Sequence, residues 1–170
     1  MTTILAKIVS TKKQEIKAAK TILPLADLKK LCRQSRRNFR EALQKSGINI
    51  IAEIKKASPS AGIIRCDFNH LKIFSIYKKY AAAISILTDE AYFQGSLNFL
   101  KDIDQTSLIP LLRKDFIIDP YQIYQARYYG ADAILLIAAL LNPQQINLYL
   151  DIAKNLNMDC LVEIHDQPEL

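Results

Sequence analysis

The sequence predicts an α/β fold of parallel βαβ units, and three observations carry the prediction. From Ile48 onward, five short apolar runs recur at nearly uniform spacing. Stretches of helical periodicity separate them, two of which open on Asp119-Pro120 and Asn142-Pro143, a cap followed by proline at the first helical position. The runs are almost continuously apolar, as expected of parallel strands covered on both faces.

The amino-terminal part has a different pattern. Ile4, Leu5, Ile8 and Val9, then Leu28, Leu31, Phe39 and Leu43, recur at helical spacing with basic residues between them. This predicts two amphipathic helices split at Leu23-Pro24, and a helical extension over residues 1–46. The βα part, residues 47–170, opens with a strand over 48–55 and a turn at Ser58-Pro59-Ser60. Further strands are expected over 82–88, 109–116, 131–140 and 159–165. The helical stretches between them cover 68–81, 96–104, 119–130, with Gly130 at its end, and 142–157.

Composition bounds the function. The chain has 170 residues, 50% apolar and 24% charged, enough for one domain with a substantial core. No apolar run approaches the roughly 20 residues needed to span a bilayer, and Lys7 interrupts the amino-terminal run before a signal-peptide core forms. A soluble, unexported, cytoplasmic protein without membrane contact is expected. Cys32, Cys66 and Cys160 form no CxxC pair and are odd in number, which suggests neither a zinc site nor a disulfide framework. The net charge is +6, yet residues 1–46 hold 12 of the 23 Lys and Arg and only three of the 17 acids. A solvated basic helix face is the expected reading. RNA binding is the alternative, without support from a glycine-rich or aromatic RNA motif.

Charges interrupt three of the predicted strands. Side chains at i and i+2 share a strand face, so Glu53 points with Lys55, Lys114 with Leu112 and Phe116, and Glu163 with Leu161 and His165. Each group lies toward the carboxyl end of its strand, where catalytic residues gather in eight-stranded α/β barrels, or beside a crevice in open doubly wound sheets. One reading makes them ion pairs that hold the fold. The other makes them an active site, because burying several charges is costly without a functional return. Arg113 and Asp115 fall on the opposite face and are expected in packing or loop ion pairs. Lys56 points outward, and His70 lies on a helical stretch with no evident partner.

The strings IIAEIKKASPSAGII, AAAISILTDEAYFQGSL, LLRKDFIIDPYQIYQARYYGADAILLIAAL and LVEIH, together with the amino-terminal RRNFREAL, resemble successive signature segments of indole-3-glycerol phosphate synthase. That family is a tryptophan-biosynthetic (β/α)8 TIM barrel with an amino-terminal helical extension, and the resemblance runs through the whole chain. It implies a lyase that converts 1-(2-carboxyphenylamino)-1-deoxyribulose 5-phosphate to indole-3-glycerol phosphate with loss of CO2 and water. No cofactor and no metal is implied. Lys114 matches the general acid, Glu163 the carboxylate that acts as base in dehydration, and Glu53 a further catalytic or orienting carboxylate. Lys55 matches a catalytic residue that pairs with the substrate carboxylate and shares in proton transfer. Ser58 matches a phosphate contact, and Phe93, Phe116 and Leu135 match apolar residues around the anthranilate ring.

The sequence departs from the family at Tyr80, where glycine is common, and in length. Leu170 falls just after the fifth strand and the start of the next helix, so about five of eight strands are expected, with strands 6 to 8 supplied by a fusion or a complementing chain. Two alternatives stay open: a catalytically inactive half-barrel that binds a phosphate ligand or a protein, and a barrel like phosphoribosylanthranilate isomerase. The partner expected in every case but protein binding is a small phosphorylated molecule rather than nucleic acid.

Overall fold

Each predicted apolar run contains a strand. In the computed structural model, which describes residues 4–167, these are β1 (Ile51–Ile54), β4 (Ala83–Leu87), β5 (Leu111–Lys114), β6 (Ala133–Ile137) and β7 (Asp159–Glu163). They form one parallel sheet in the order β1-β4-β5-β6-β7. Between them run α4 (His70–Tyr77), α6 (Leu97–Asp104), α7 (Pro120–Tyr128) and α8 (Pro143–Asn155), as the periodicity predicts. The helix expected to begin at the carboxyl end lies outside the described residues. No helix among the described residues is long and apolar enough to cross a membrane.

Local chemistry sets the helix ends. Asp119 and Asn142 each close a capping box with Gln122 and Gln145, and proline follows at the first helical position. Gly130 ends α7 at φ +100°, a left-handed conformation that a side chain would strain, and its Cβ would also collide with Asp104.

The two sheet faces carry different cores. Ile54, Ile84, Ile86, Leu111, Ile134 and Leu136 pack outward against α4, α6, α7 and α8. On the other face, at its amino-terminal end, Ala83, Leu112 and Ala133 meet Phe39 of a short helix, α3 (Phe39–Leu43). This packing leaves the carboxyl end of the inner face for other side chains.

The amino-terminal segment departs from the expected two helices. α1 (Ile4–Ile22) and α2 (Leu25–Leu31) do break at Leu23-Pro24, but the second predicted helix ends at Leu31 and resumes only as α3. The cause is the fully buried Asp132. Its carboxylate accepts from Ser35 Oγ at 2.6 Å, Arg37 Nε at 2.6 Å, Arg127 Nη1 at 3.0 Å and the Leu111 amide at 2.9 Å. Ser35 and Arg37 reach it only if the chain leaves the helix, and a buried carboxylate left unpaired would cost far more than two lost helical turns.

Smaller differences follow the same logic. The run at 131–140 leaves the sheet after Ile137, and Ala138–Leu140 form a 3-10 turn. A small hairpin of β2 (Ala57–Ser58) and β3 (Gly62–Ile63), and a one-turn helix α5 (Glu90–Phe93), are too short to leave a periodic signal. His70 does have a partner, with Nε2 3.0 Å from Asp102 Oδ2 and the ring stacked on Phe99. Tyr80 causes no left-handed strain, since its backbone is not among the positive-φ residues, and its side chain lies in solvent.

Candidate active site

The inner face of the sheet orders the expected site residues. Register pairs Glu53 of β1 with Ser85 of β4, Ser85 with Leu112 of β5, and Leu87 with Lys114. Parallel partners project to the same side. Glu53, Ser85, Leu87 and Lys114 therefore share the inner face at the carboxyl end of the sheet.

The side chains converge. Lys55 Nζ donates to Glu53 Oε1 at 2.7 Å, and Lys114 Nζ lies 3.7 Å from Glu53 Oε2, reaching it across the intervening β4. The first is a hydrogen-bonded ion pair and the second a looser Coulombic contact. All three side chains are about one-third exposed, wet enough to admit a ligand and enclosed enough to strengthen their mutual field. Two ammonium groups on one carboxylate leave a net positive charge facing the open end, suited to an anionic substrate. A cavity of 260 Å³ adjoins Glu53 and Lys55 and is lined also by Ile64, Arg65, Ile73 and Tyr77.

The apolar residues gather nearby in part. Phe93 of α5 and Phe116, just past β5, face each other with ring centroids 6.1 Å apart. Leu135 is buried on β6, in register with Leu161 of β7. Ser58 lies half-buried in the hairpin, where its Oγ accepts the Ala61 amide at 3.1 Å. Glu163 stands at the end of β7, opposite Ile137. Its Oε1 lies 3.3 Å from His165 Nε2, so the ion pairs of Lys114 and Glu163 among the described residues are with different partners.

Behind the site lies a second set of charges. Lys12 of α1 is 3% exposed, and its Nζ meets Asp115 at 3.0 Å, Asp89 at 2.9 Å and Glu15 at 2.7 Å. It is therefore not part of a solvated basic face. Asp115 is saturated: Oδ1 accepts from the Phe116 amide at 2.8 Å and from Lys12, while Oδ2 accepts from Thr88 Oγ1 at 2.6 Å and Arg113 Nη2 at 2.9 Å. Burial alone would raise the Asp115 pKa, but Arg113 and Lys12 hold it down to about 2. Burial likewise works against the Lys12 charge, yet Asp115, Glu15 and Asp89 raise its pKa above the ordinary lysine value. Asp115 sits between Lys114 and Phe116 in the chain, so this network fixes the backbone from which both project. Arg113 and Asp115 occupy the opposite face in ion pairs, as expected. The role of Lys12 was missed, although its place between Ile8 and Ile16 at four-residue spacing on the buried side of α1 marks it in the sequence.

The family model described as indole-3-glycerol phosphate synthase matches residues 5–170. The chain belongs to the indole-3-glycerol phosphate synthase family. It is 44% identical to "Indole-3-glycerol phosphate synthase" of Thermoanaerobacter pseudethanolicus over 169 residues, which cover 98% of the chain and 65% of that protein. The corresponding protein of Neisseria gonorrhoeae is 48% identical over 177 residues, covering 100% of the chain and 68% of its own length. "Tryptophan biosynthesis protein TrpCF" of Salmonella typhi is 50% identical over 169 residues, 99% of the chain and 37% of that protein. The chain thus spans between about a third and about two thirds of the length of these family relatives. Its five parallel strands with flanking helices are part of the family's TIM barrel.

Proposed function

We propose that this chain carries the amino-terminal part of an indole-3-glycerol phosphate synthase, within which residues 1–46 form a helical extension and residues 47–170 the first five barrel strands. The observation that supports this most is the meeting of Lys114, Glu53 and Lys55 at the carboxyl ends of β5 and β1 in a chain of this family. The substrate is 1-(2-carboxyphenylamino)-1-deoxyribulose 5-phosphate. Lys55 pairs with its carboxylate. Lys114 protonates the ketone oxygen as the aromatic carbon attacks the carbonyl carbon, which forms the new ring bond and leaves a hydroxyl. Carbon dioxide departs, and its bonding electrons restore the aromatic ring. Glu163 then removes a ring proton while Lys55, freed as carbon dioxide departs, donates a proton to the hydroxyl, which leaves as water and gives the indole. Glu53 orients both lysines and balances their charge between steps. Phe93, Phe116 and Leu135 enclose the anthranilate ring and exclude water where carbon dioxide leaves, and Ser58 contacts the phosphate.

The sheet is closed by three further strands, from the same longer protein or a complementing chain. Among the described residues both edge strands lack an outer partner, and Leu161, Val162 and Ile164 at the β7 edge are exposed. The protein works in the cytoplasm. The test is the fluorescence increase on formation of indole-3-glycerol phosphate by the protein isolated from its source cells. Turnover is expected, with a loss of about 100-fold or more in Lys114→Ala. No turnover, or equal turnover by the variant, would overturn the catalytic reading in favour of a non-catalytic binding half-barrel.

A further inference from the structure

Ser85 is 3% exposed, and among the described residues its hydroxyl oxygen is closed to solvent and has no hydrogen-bond partner. Such a group weakens a fold unless something else uses it. Packing does not require it. Its neighbours on the inner face of β4 are the apolar Ala83 and Leu87, and its partner on β5 is Leu112, so alanine would serve as well there.

The remaining neighbour is Glu53, the register partner of Ser85 on β1. Neighbouring strands lie about 4.8 Å apart, so the Ser85 hydroxyl and the Glu53 side chain leave adjacent backbone positions on the same face of the sheet. In the present arrangement Glu53 is occupied by Lys55 on one oxygen and approached by Lys114 on the other. Both lysines have work elsewhere under the proposed function, one on the substrate carboxylate and one on the ketone. As they turn to substrate, a carboxylate about 70% buried loses both counter-charges.

We infer that Ser85 is a positioning residue whose hydroxyl takes over Glu53 when Lys55 and Lys114 engage a ligand, keeping that carboxylate charged and in place. The inference rests on the roles proposed for the two lysines. Because the hydroxyl is closed to solvent, it acts on Glu53 and not on the substrate. The other groups facing Glu53 are Lys55 on its own strand, Lys114 on β5, and Arg65 and Tyr77 across the adjoining cavity.

The test is the titration of the Glu53 carboxyl carbon by NMR in protein labelled with 13C-glutamate, on a Lys55→Met/Lys114→Met background that mimics departure of both lysines. On that background Ser85→Ala is expected to raise the Glu53 midpoint by about half a pH unit or more, and Ser85→Thr, which keeps the hydroxyl, to leave it near its starting value. With both lysines in place Ser85→Ala is expected to leave it nearly unchanged. Equal midpoints for serine and alanine on the lysine-free background would overturn the inference, as would an equal rise with threonine. Amide spectra report folding, and if the lysine-free background does not fold, the same comparison is made in the unsubstituted chain saturated with sodium anthranilate. Turnover is read in parallel. An active protein with an insensitive Glu53 overturns this inference alone, whereas an inactive protein with a sensitive Glu53 overturns the catalytic reading alone.

Discussion

Replacing Lys12 by methionine keeps the length of the side chain and removes its charge, which isolates the electrostatic contribution of α1. Lys12 is 3% exposed and Asp89 is fully buried, so the substitution leaves Asp89 Oδ2 with no cation and Asp115 with Arg113 alone. Breaking a buried pair costs about 3–5 kcal/mol. Arg113 and Thr88 still hold Asp115, which favours the lower end, about 3 kcal/mol. For a chain of this size that lowers Tm by about 6–12 °C. Urea unfolding followed by circular dichroism at pH 7 measures the free energy directly. The difference has a defined pH window. The raised Lys12 pKa contributes stability that is complete below the ordinary lysine value of 10.5 and is lost as pH rises through the folded value. The depressed Asp115 pKa contributes stability that is complete above the ordinary value of 3.8 and is lost as pH falls through about 2. The gap between the two proteins is therefore widest between about pH 4 and 10 and narrows outside it. A loss below about 1 kcal/mol at pH 7, or a gap that does not vary with pH, would refute the argument that this lysine anchors α1 by charge.

Other perturbations give separate checks. Gly95→Ala places a methyl group against the Leu87 and Asp89 carbonyls, backbone atoms that cannot step aside, and is expected to cost about 1–3 kcal/mol in the same unfolding measurement. Asp132→Asn weakens the acceptor shared by Arg37, Arg127 and Ser35; amide hydrogen exchange is expected to accelerate in residues 32–38 before it does in β4. Native alkylation at pH 8 read by mass spectrometry is expected to label the exposed Cys66 first. Cys160 is expected last, because burial and the neighbouring Asp159 push its thiol up to about 12. Equal rates at the two thiols would contradict that burial.

The parts legible in the sequence were those with a period or a motif. Strand alternation put Glu53 with Lys55 on one face of the first strand and Lys114 with Leu112 and Phe116 on one face of the third, and Asp119-Pro120 and Asn142-Pro143 marked two helix starts to the residue. What escaped was long-range pairing. Nothing local to residues 32–38 says that Ser35 and Arg37 must abandon a helix for Asp132, and nothing local to Ser85 says that its hydroxyl lacks a partner among the described residues. Lys12 stands between these cases. Its position in an apolar stripe signals burial, but the distant carboxylates that make burial tolerable, Asp89 and Asp115, lie just past β4 and β5. The hairpin at Ala57–Ile63 and the single turn at Glu90–Phe93 are shorter than any window over which periodicity can be read.

The anchoring of α1 has a consequence for synthesis on the ribosome. The contacts that hold this first helix are separated in sequence by about a hundred residues: Tyr121 Oη reaches the Ala19 carbonyl across 102 positions and Lys20 reaches Asp119 across 99. At translation speeds of about 5–20 residues per second, the helix leaves the exit tunnel roughly 5–20 s before its docking surface exists. During that interval Ile8 and Ile16 face water, and Lys12 is an ordinary solvated amine. A segment made about a hundred residues before its docking surface is thus late to find its place, and a nascent chain halted before β5 would carry an undocked amphipathic helix open to chaperones.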